Sequence, residues 1–297
     1  MYYFRHPNDW RVLCFKQSKS MGNKLRKAIG IATSLLIAAN VIAQAPSWHW
    51  VGTGSINGGN PSGINSYNIK VDNSGNSYVS VRHNANLAIQ KYSPSGSMIW
   101  QASAIGSSAL NTFGDIALDN NNNLYITGLF YQGTIIIGAD TLVTDSLIGI
   151  SAFVAKLDSS GNFIWAKEAS SISKGLAITV NPAGEVIVGG TTQGDPNTTI
   201  TLGGLTTSRP SSKQYYFLSK LDANGNGQWM KLYEAAYGFA GTRAWIKELT
   251  TDNSGNIYGT GLIDVGSTAP FDFGGVSLPA NGSGSGESSI TFKTDGN

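Results

Sequence analysis

One cysteine, three histidines and 13% charged residues are all that 297 residues hold of the groups that most often carry chemistry. The cysteine is Cys14, upstream of every pattern described below. The rest of the chain therefore has no disulfide, no thiol nucleophile and no cysteine-built zinc site, and must rely on packing and hydrogen bonds. His6 lies in the same head; His49 and His83 have neither an i, i+4 partner nor an acidic neighbour, and read as strand-surface residues rather than metal ligands or a catalytic dyad. No G-x-S-x-G elbow, H-E-x-x-H or P-loop occurs, and Gly52, Gly54 and Gly58 miss the dinucleotide spacing by one residue. Amphipathic helical periodicity is missing too, although YEAAYGFAG at 233–241 is compatible with one helical turn. No cofactor is expected.

Cationic residues are few and unevenly placed. Seven of the 20 Lys and Arg precede residue 44, with one acid, Asp9, so the remainder holds 13 cations against 17 acids, a net charge of −4. A mildly acidic body with no basic stripe cannot neutralise phosphates, which excludes nucleic acid as the expected partner. The basic head has its own reading. Lys24, Arg26 and Lys27 precede the apolar run AIGIATSLLIAANVIA at 28–43, and small residues follow. Residues 21–43 thus read as a signal peptide cut after Ala43, with Val41 at −3; a cut after Ala45 would leave Pro46 just past the scissile bond. As a membrane anchor the run falls short, at about 16 residues against the ~20 of a span, and Asn40 interrupts it. The expectation is an exported protein, secreted or at the cell surface, with no membrane span after cleavage. Residues 1–20 match nothing downstream and read as a non-native or mis-called extension, with Met21 as the start.

What the chain has in quantity is glycine, 37 residues, and repetition. One phrase is an apolar run, an Asx/Gly turn and a second run: IKVDNSGNSYVSV from Ile69, IALDNNNNLYITG from Ile116, ITVNPAGEVIVGG from Ile178 and LTTDNSGNIYGTG from Leu249. The other ends in tryptophan: IQKYSPSGSMIW at 89–100, FVAKLDSSGNFIW at 153–165, FLSKLDANGNGQW at 217–229, and ITFKTDGN at 290–297 without its Trp. Alternating β-branched and aromatic residues bounded by Asp, Asn and Gly are hairpin signals, because tight turns between twisted strands need positive φ. Two hairpins per repeat make a four-stranded antiparallel unit, in units of about 66–103, 113–170, 174–234 and 246–297. That spacing predicts an all-β fold, a β-propeller with about four blades present over 44–297.

These residues resemble the bacterial SBBP-type β-propeller repeats, whose units look like D-x-x-G-N-x-Y-x-T-G followed by D-x-F-x-x-K-x-D-x-x-G-N-x-x-W. Asp252, Gly255, Asn256, Tyr258 and Gly261 match the first part in the fourth unit; Phe153, Lys156, Asp158, Gly161, Asn162 and Trp165 match the second part in unit two. The resemblance covers about residues 46–297; Asn181 and Glu185 depart from it, as does a first unit without the long middle segment. It implies an exported bacterial repeat protein and is silent on chemistry.

The middle segments TIIIGADTLV, ITLGGLTTS and FDFGGVSLPA read as small excursions between strands two and three. With the links between blades they emerge on the face opposite the short hairpin turns, at 132–150, 191–212, 262–286, 101–112 and 235–245. Long variable loops on a rigid scaffold are where binding usually resides. This face is the candidate interaction surface for a protein or glycan ligand, and carries Tyr131, Arg209, Tyr215, Tyr237, Arg243 and Trp245. The competing reading is that these side chains only pack their own loops. SWHWVGTGS at 47–55 resembles a Trp-bearing last strand and could complete the last blade; four units make either a small closed ring or, as favoured here, the front part of a longer propeller.

No catalytic or metal-ligating residue is assigned. DANGNG at 222–227 offers Asp222, Asn224 and Asn226 to a calcium loop, but position twelve is Tyr233 rather than a bidentate Glu, so a plain hairpin turn is expected. The function expected is a non-enzymatic binding or structural module. A carbohydrate-active hydrolase or lyase is the alternative, and would need two converging carboxylates from Asp140, Asp145, Asp195, Asp264 and Asp272.

Overall fold

The computed structural model describes residues 64–84, 86–108, 111–144, 149–170, 172–193, 198–211, 214–234, 245–264, 271–273, 276–278 and 287–296. The chain divides into two compact units, Met1–His49 and Trp50–Asn297, and every described strand belongs to the second. The extension, the signal peptide and the 47–55 segment lie outside the described residues.

All described secondary structure is β, in antiparallel sheets, as the alternating sequence predicts. Blade one is β1 (Ile64–Val71), β2 (Ser77–His83), β3 (Asn86–Tyr92) and β4 (Met98–Gly106). Blade two is β5 (Thr112–Leu118), β6 (Leu124–Tyr131), β9 (Ile150–Leu157) and β10 (Phe163–Ala169), with β7 (Thr134–Ile137) and β8 (Asp140–Val143) between its second and third strands. Blade three is β11 (Ile172–Val180), β12 (Val186–Gln193), β15 (Tyr215–Leu221) and β16 (Gly227–Glu234), with the inserted hairpin β13 (Thr199–Leu202) and β14 (Leu205–Ser208). Blade four shows β17 (Trp245–Thr251), β18 (Ile257–Asp264) and β21 (Glu287–Thr294), with β19 (Phe271–Phe273) and β20 (Val276–Leu278) inserted. Tyr233 and Glu234, read above as opening a helical turn, belong to β16; the rest of that segment is outside the described residues.

The inserted hairpins do more than decorate their own blades. β7 pairs with β4, Ile135 opposite Gly106 and Ile137 opposite Ala104, so blade one becomes part of a six-stranded sheet. The second hairpin reaches back likewise: Ser170, just past β10, donates its N–H to the Thr201 carbonyl. The first covers an outer strand edge that would otherwise present unpaired backbone groups, while the second stays a separate two-stranded sheet.

Middle strands are buried along most of their length, Leu124–Phe130 of β6 and all of YYFLSKL in β15, because a neighbouring blade covers each face. Three apolar layers result. Tyr78, Leu87 and Ile89 meet Ile116, Phe130 and Phe153 between blades one and two. Tyr125, Val154 and Trp165 meet Val188, Phe217 and Leu221 between two and three. Ile187, Tyr216 and Leu218 meet Ile246, Leu249 and Ile257 between three and four. Each such side chain contributes about 1.5–3 kcal/mol on removal from water.

The short turns share one chemistry. Asp158 Oδ1 accepts the N–H groups of Ser160 and Asn162, both at 2.9 Å, and Oδ2 accepts Asn162 Nδ2 at 2.9 Å. Asp119, Asp222 and Asp252 repeat this set with Asn123, Asn226 and Asn256. Asp72 repeats it with Asn76. Blade three exchanges the two groups: Asn181 Oδ1 accepts the backbone and Asn181 Nδ2 donates to Glu185 Oε2 at 2.7 Å. The turn is thus kept with its side-chain polarity reversed.

The turns also join blade to blade. Trp100 Nε1 and Lys91 Nζ both donate to the Ser159 carbonyl, at 3.1 and 3.4 Å, inside the next blade's turn. Trp165 Nε1 and Lys156 Nζ donate to the Ala223 carbonyl in the same way, at 3.1 and 3.2 Å. Lys220 Nζ donates to the Gly296 carbonyl at 2.7 Å. Gly161, at φ +89°, lies directly on the Trp100 indole, where a Cβ would come within 2.8 Å of Cδ2. Gly184, at φ +81° in an equivalent turn, faces open space. Gly184→Ala is expected to destabilise by about 1 kcal/mol from positive φ alone, and Gly161→Ala by about 2–4 kcal/mol because the clash adds to it. Urea denaturation of the two variants measures the difference; equal losses would remove the packing role assigned to the indole.

Candidate functional site

Among the described residues, a cleft of about 430 Å³ lies on the turn face between blades three and four, lined by Asn181, Glu185, Lys220, Asn253 and Ser254 among others. Its polar floor is occupied internally. Lys220 Nζ stands 2.8 Å from Glu185 Oε2 and also holds Gly296, while Asn181 donates to the same carboxylate. Burial works to raise the Glu185 pKa, yet hydrogen bonds from Lys220, Asn181 and Gln228 outweigh it and hold the carboxyl below its ordinary value. Blades one, two and four carry Tyr78, Tyr125 and Tyr258 two residues past this turn, each donating to the turn Asp, whereas blade three has Ile187. The Glu185–Lys220 pair replaces the phenol.

On the loop face the structure separates the residues named from sequence. Arg209 is buried, donating to Thr192 Oγ1 at 3.2 Å and to Thr198 Oγ1, while its backbone N–H bonds the Thr198 carbonyl. It holds the base of the β13–β14 hairpin. Tyr215 is buried with its hydroxyl 3.0 Å from Glu234 Oε2 and 2.8 Å from Ser211 Oγ. Tyr131 is half-buried at the end of β6, its backbone N–H bonded to Asn111 Oδ1 at 3.0 Å. Trp245 opens β17; Tyr237 and Arg243 lie outside the described residues, so the set is not brought together as one site. Of the carboxylates, Asp140 Oδ2 accepts the Ala166 N–H at 2.8 Å and ties β8 to β10. Asp264 and Asp272 lie on β18 and β19, and Asp145 and Asp195 are outside the described residues.

Against Asn111 stands a group that the sequence reading passed over. Arg82, half-buried, is the sixth residue of β2, where the second strands of the other blades carry Leu129, Thr191 and Leu262. It donates from Nη1 to the Asn111 carbonyl at 3.3 Å, and its Cζ lies 5.9 Å from the centre of the Tyr67 ring. Tyr67 in turn meets Phe113 edge-on, ring centres 6.4 Å apart. A charge at a repeat position otherwise held by Leu and Thr was the available signal.

Near the inner strands, Asp115 is buried and accepts the N–H groups of Ile116 and Ile178, at 2.8 and 3.2 Å, joining blades two and three. Burial pushes its pKa up, with Glu248 adding and the two N–H groups and Lys70 opposing. Among the described residues no group of three or more His, Cys, Asp or Glu could hold a metal ion. The Asp222 oxygens accept Asn224 N, Asn226 N and Asn226 Nδ2.

The repeated sheets define a β-propeller-like repeat protein. No known protein-family profile matches the chain. A stretch of 109 residues, 35% of the chain, is 30% identical to the uncharacterized WD repeat-containing protein L264 of Acanthamoeba polyphaga mimivirus, and spans 8% of that protein's length.

The turn carboxylates set the acid sensitivity. In Asp158 and Asp222 the Asn side chain and backbone N–H groups hold the pKa below its ordinary value against a smaller effect of burial. Their folded pKa values lie below the unfolded ones, so this stabilisation is complete above the unfolded carboxylate pKa of about 3.9 and is lost as pH falls through the folded values. Urea midpoints are expected to be level from neutral pH to about 5 on account of these groups and to fall below about 4. Asp158→Asn should flatten that fall; an unchanged profile would exclude the turn as its source.

Proposed function

We propose that this chain is an exported repeat protein of the SBBP type that serves outside the cytoplasm as a non-enzymatic binding or structural module. The observation that carries this reading is the recurrence of one clasp: a Lys and a Trp of one blade both grip a turn carbonyl of the next, with turn carbonyls at Ser159 and Ala223. Such joints make a rigid scaffold from interchangeable parts. The short turns are consumed in building it, which leaves the longer links on the opposite face to differ between blades and to meet a partner. The basic, then apolar, stretch before Ala43 supports export, and the pattern from Asp252 to Gly261 and from Phe153 to Trp165 supports the SBBP assignment. The WD-repeat similarity agrees with a propeller and carries no activity to this chain, since fold alone does not specify function.

Expression in a bacterial host with fractionation and N-terminal sequencing tests the export half. The expected product begins at Gln44 and is found outside the cytoplasm. A cytoplasmic product that keeps Lys24–Lys27 would overturn it. For the binding half, purified mature protein is expected to sediment with isolated envelope polysaccharide without releasing reducing ends; release of reducing ends would establish the hydrolase reading instead.

A further inference from the structure

Blades one and four each present one half of the joint that holds the other blades together. On the side of blade one away from blade two, Ile69 and Val71 stand 60% and 61% exposed. At the position of Ile69, blades two and three have Ile116 and Ile178, 0% and 1% exposed beneath the preceding blade. Val79, Val81 and Ala88 form a small apolar cluster on the same side. On the side of blade four away from blade three, Tyr258 is half-buried and Thr260 and Thr291 are exposed. Their counterparts Tyr78, Tyr125, Ser80, Thr127, Ile89 and Val154 are at most 1% exposed, because a following blade covers them. Glu248, Thr250, Tyr258, Thr260 and Thr291 surround a shallow hollow of about 260 Å³ on that side.

The polar atoms of the two sides match as well. Lys293 stands 5.2 Å from the centre of the Tyr258 ring, as Lys91 and Lys156 stand over Tyr78 and Tyr125, and Tyr258 donates to Asp252 at 3.0 Å. Lys91, Lys156 and Lys220 each donate onward to a turn carbonyl of the next blade; among the described residues Lys293 reaches none. Blade one carries such an acceptor. Its turn repeats the bonds of the Ser159 turn, Gly96 N–H to the Ser93 carbonyl at 2.9 Å and Ser93 N–H to the Ser97 carbonyl at 2.8 Å, with Gly96 at φ +84°. Pro94 holds the place of Ser159, and among the described residues nothing donates to its carbonyl. A second match lies on the inner strands. Exposed Glu248 holds the position of Asp115, whose carboxylate accepts the N–H of Ile178 in the next blade at 3.2 Å, and Ile69 holds the position of Ile178.

We propose that blade four docks on blade one of a second copy of this chain, and that two copies join reciprocally through two such joints. Lys293 of one copy then donates to the Pro94 carbonyl of the other, and Glu248 accepts its Ile69 N–H. Ile69, Val71 and Val79 cover Tyr258, Thr260 and Thr291. The joint reuses the contact that already links blade to blade inside the chain, so it needs no surface that the sequence does not hold. The chain's own blade one does not fill the place, since Ile69 and Val71 would then be buried as Ile116 is. Four blades from each copy make a ring of eight, within the roughly four to eight blades that propellers close with. Two joints related by a twofold axis leave neither side open, so assembly stops at two copies instead of running on as a filament.

Light scattering of the full mature chain at micromolar concentration tests the proposal, with the mass of two chains expected. Ile69→Glu, which charges a side chain already exposed, should weaken association at least about tenfold, and Lys293→Gln about tenfold through loss of one charged hydrogen bond. Far-UV circular dichroism of both variants should match the parent. Crosslinking identifies the faces. The first turns of blades three and four line one cleft, so exposed Ser254 of one copy should neighbour exposed Ser74 of the other. Residues 44–297 have no cysteine of their own. A short bismaleimide is expected to join a mixture of Ser74→Cys and Ser254→Cys chains into a covalent pair and to leave either chain alone unjoined. A single-chain mass, or association undiminished in Ile69→Glu, would overturn the joint. A doubly substituted chain that crosslinks at single-chain mass would show blade four closed by its own blade one and overturn the second copy as occupant. Masses that climb past two chains with concentration would overturn the closed pair.

Discussion

The joints from blade one to two and from two to three depend on the carbonyl one residue into the third-to-fourth-strand turn, that of Ser159 and of Ala223. A tight turn points that oxygen out of its own sheet, where no ladder partner can reach it, and the preceding blade supplies an indole N–H and an ammonium in its place. One hydrogen bond would be worth only about 1 kcal/mol net, but a charged donor and a flat ring that packs on the turn glycine make the contact cooperative. The Lys that takes part also lies over the blade's own tyrosine ring, 4.7 Å for Lys91 over Tyr78 and 5.0 Å for Lys156 over Tyr125. Turn, tyrosine, lysine and tryptophan therefore act together, and the apolar layers are pressed into register by a polar edge.

Much of this was legible in the residues. Alternation and the Asx/Gly turns announced the hairpins, and the tryptophans spaced 65 and 64 residues apart announced the unit. What spacing could not reveal was the tryptophan's partner, since Trp100 bonds Ser159, which belongs to another repeat. Positive φ accounts for Gly161 only in part, because the missing Cβ over an indole cannot be inferred from a turn rule. The inserted hairpins were visible as excursions, but the pairing of β7 with β4 of the preceding blade depends on a strand edge that no local pattern describes.

Side-chain direction separates the loop-face residues that pack their own loops from those that do not. Arg209 and Tyr215 sit in segments whose composition reads as exposed, yet their polar ends turn inward to Thr192, Thr198, Ser211 and Glu234. Arg82, in a strand, reads as ordinary surface until Asn111 of the next blade is placed against it. Departures from the repeat proved informative for opposite reasons. Asn181 and Glu185 look like lost consensus but conserve the turn by exchanging donor and acceptor, whereas Arg82 is a departure that preserves no repeated contact.

The inserted hairpins have a consequence for how such a chain can grow. Because the β7–β8 hairpin adds its strands to the sheet of the blade before it, a unit copied and pasted elsewhere arrives carrying its own fastening, shaped to whichever outer strand precedes it. The material for a junction travels inside the duplicated segment. A lineage can then lengthen or shorten the array by unequal recombination without waiting for compensating changes at the new boundary, while each loop stays free to diverge.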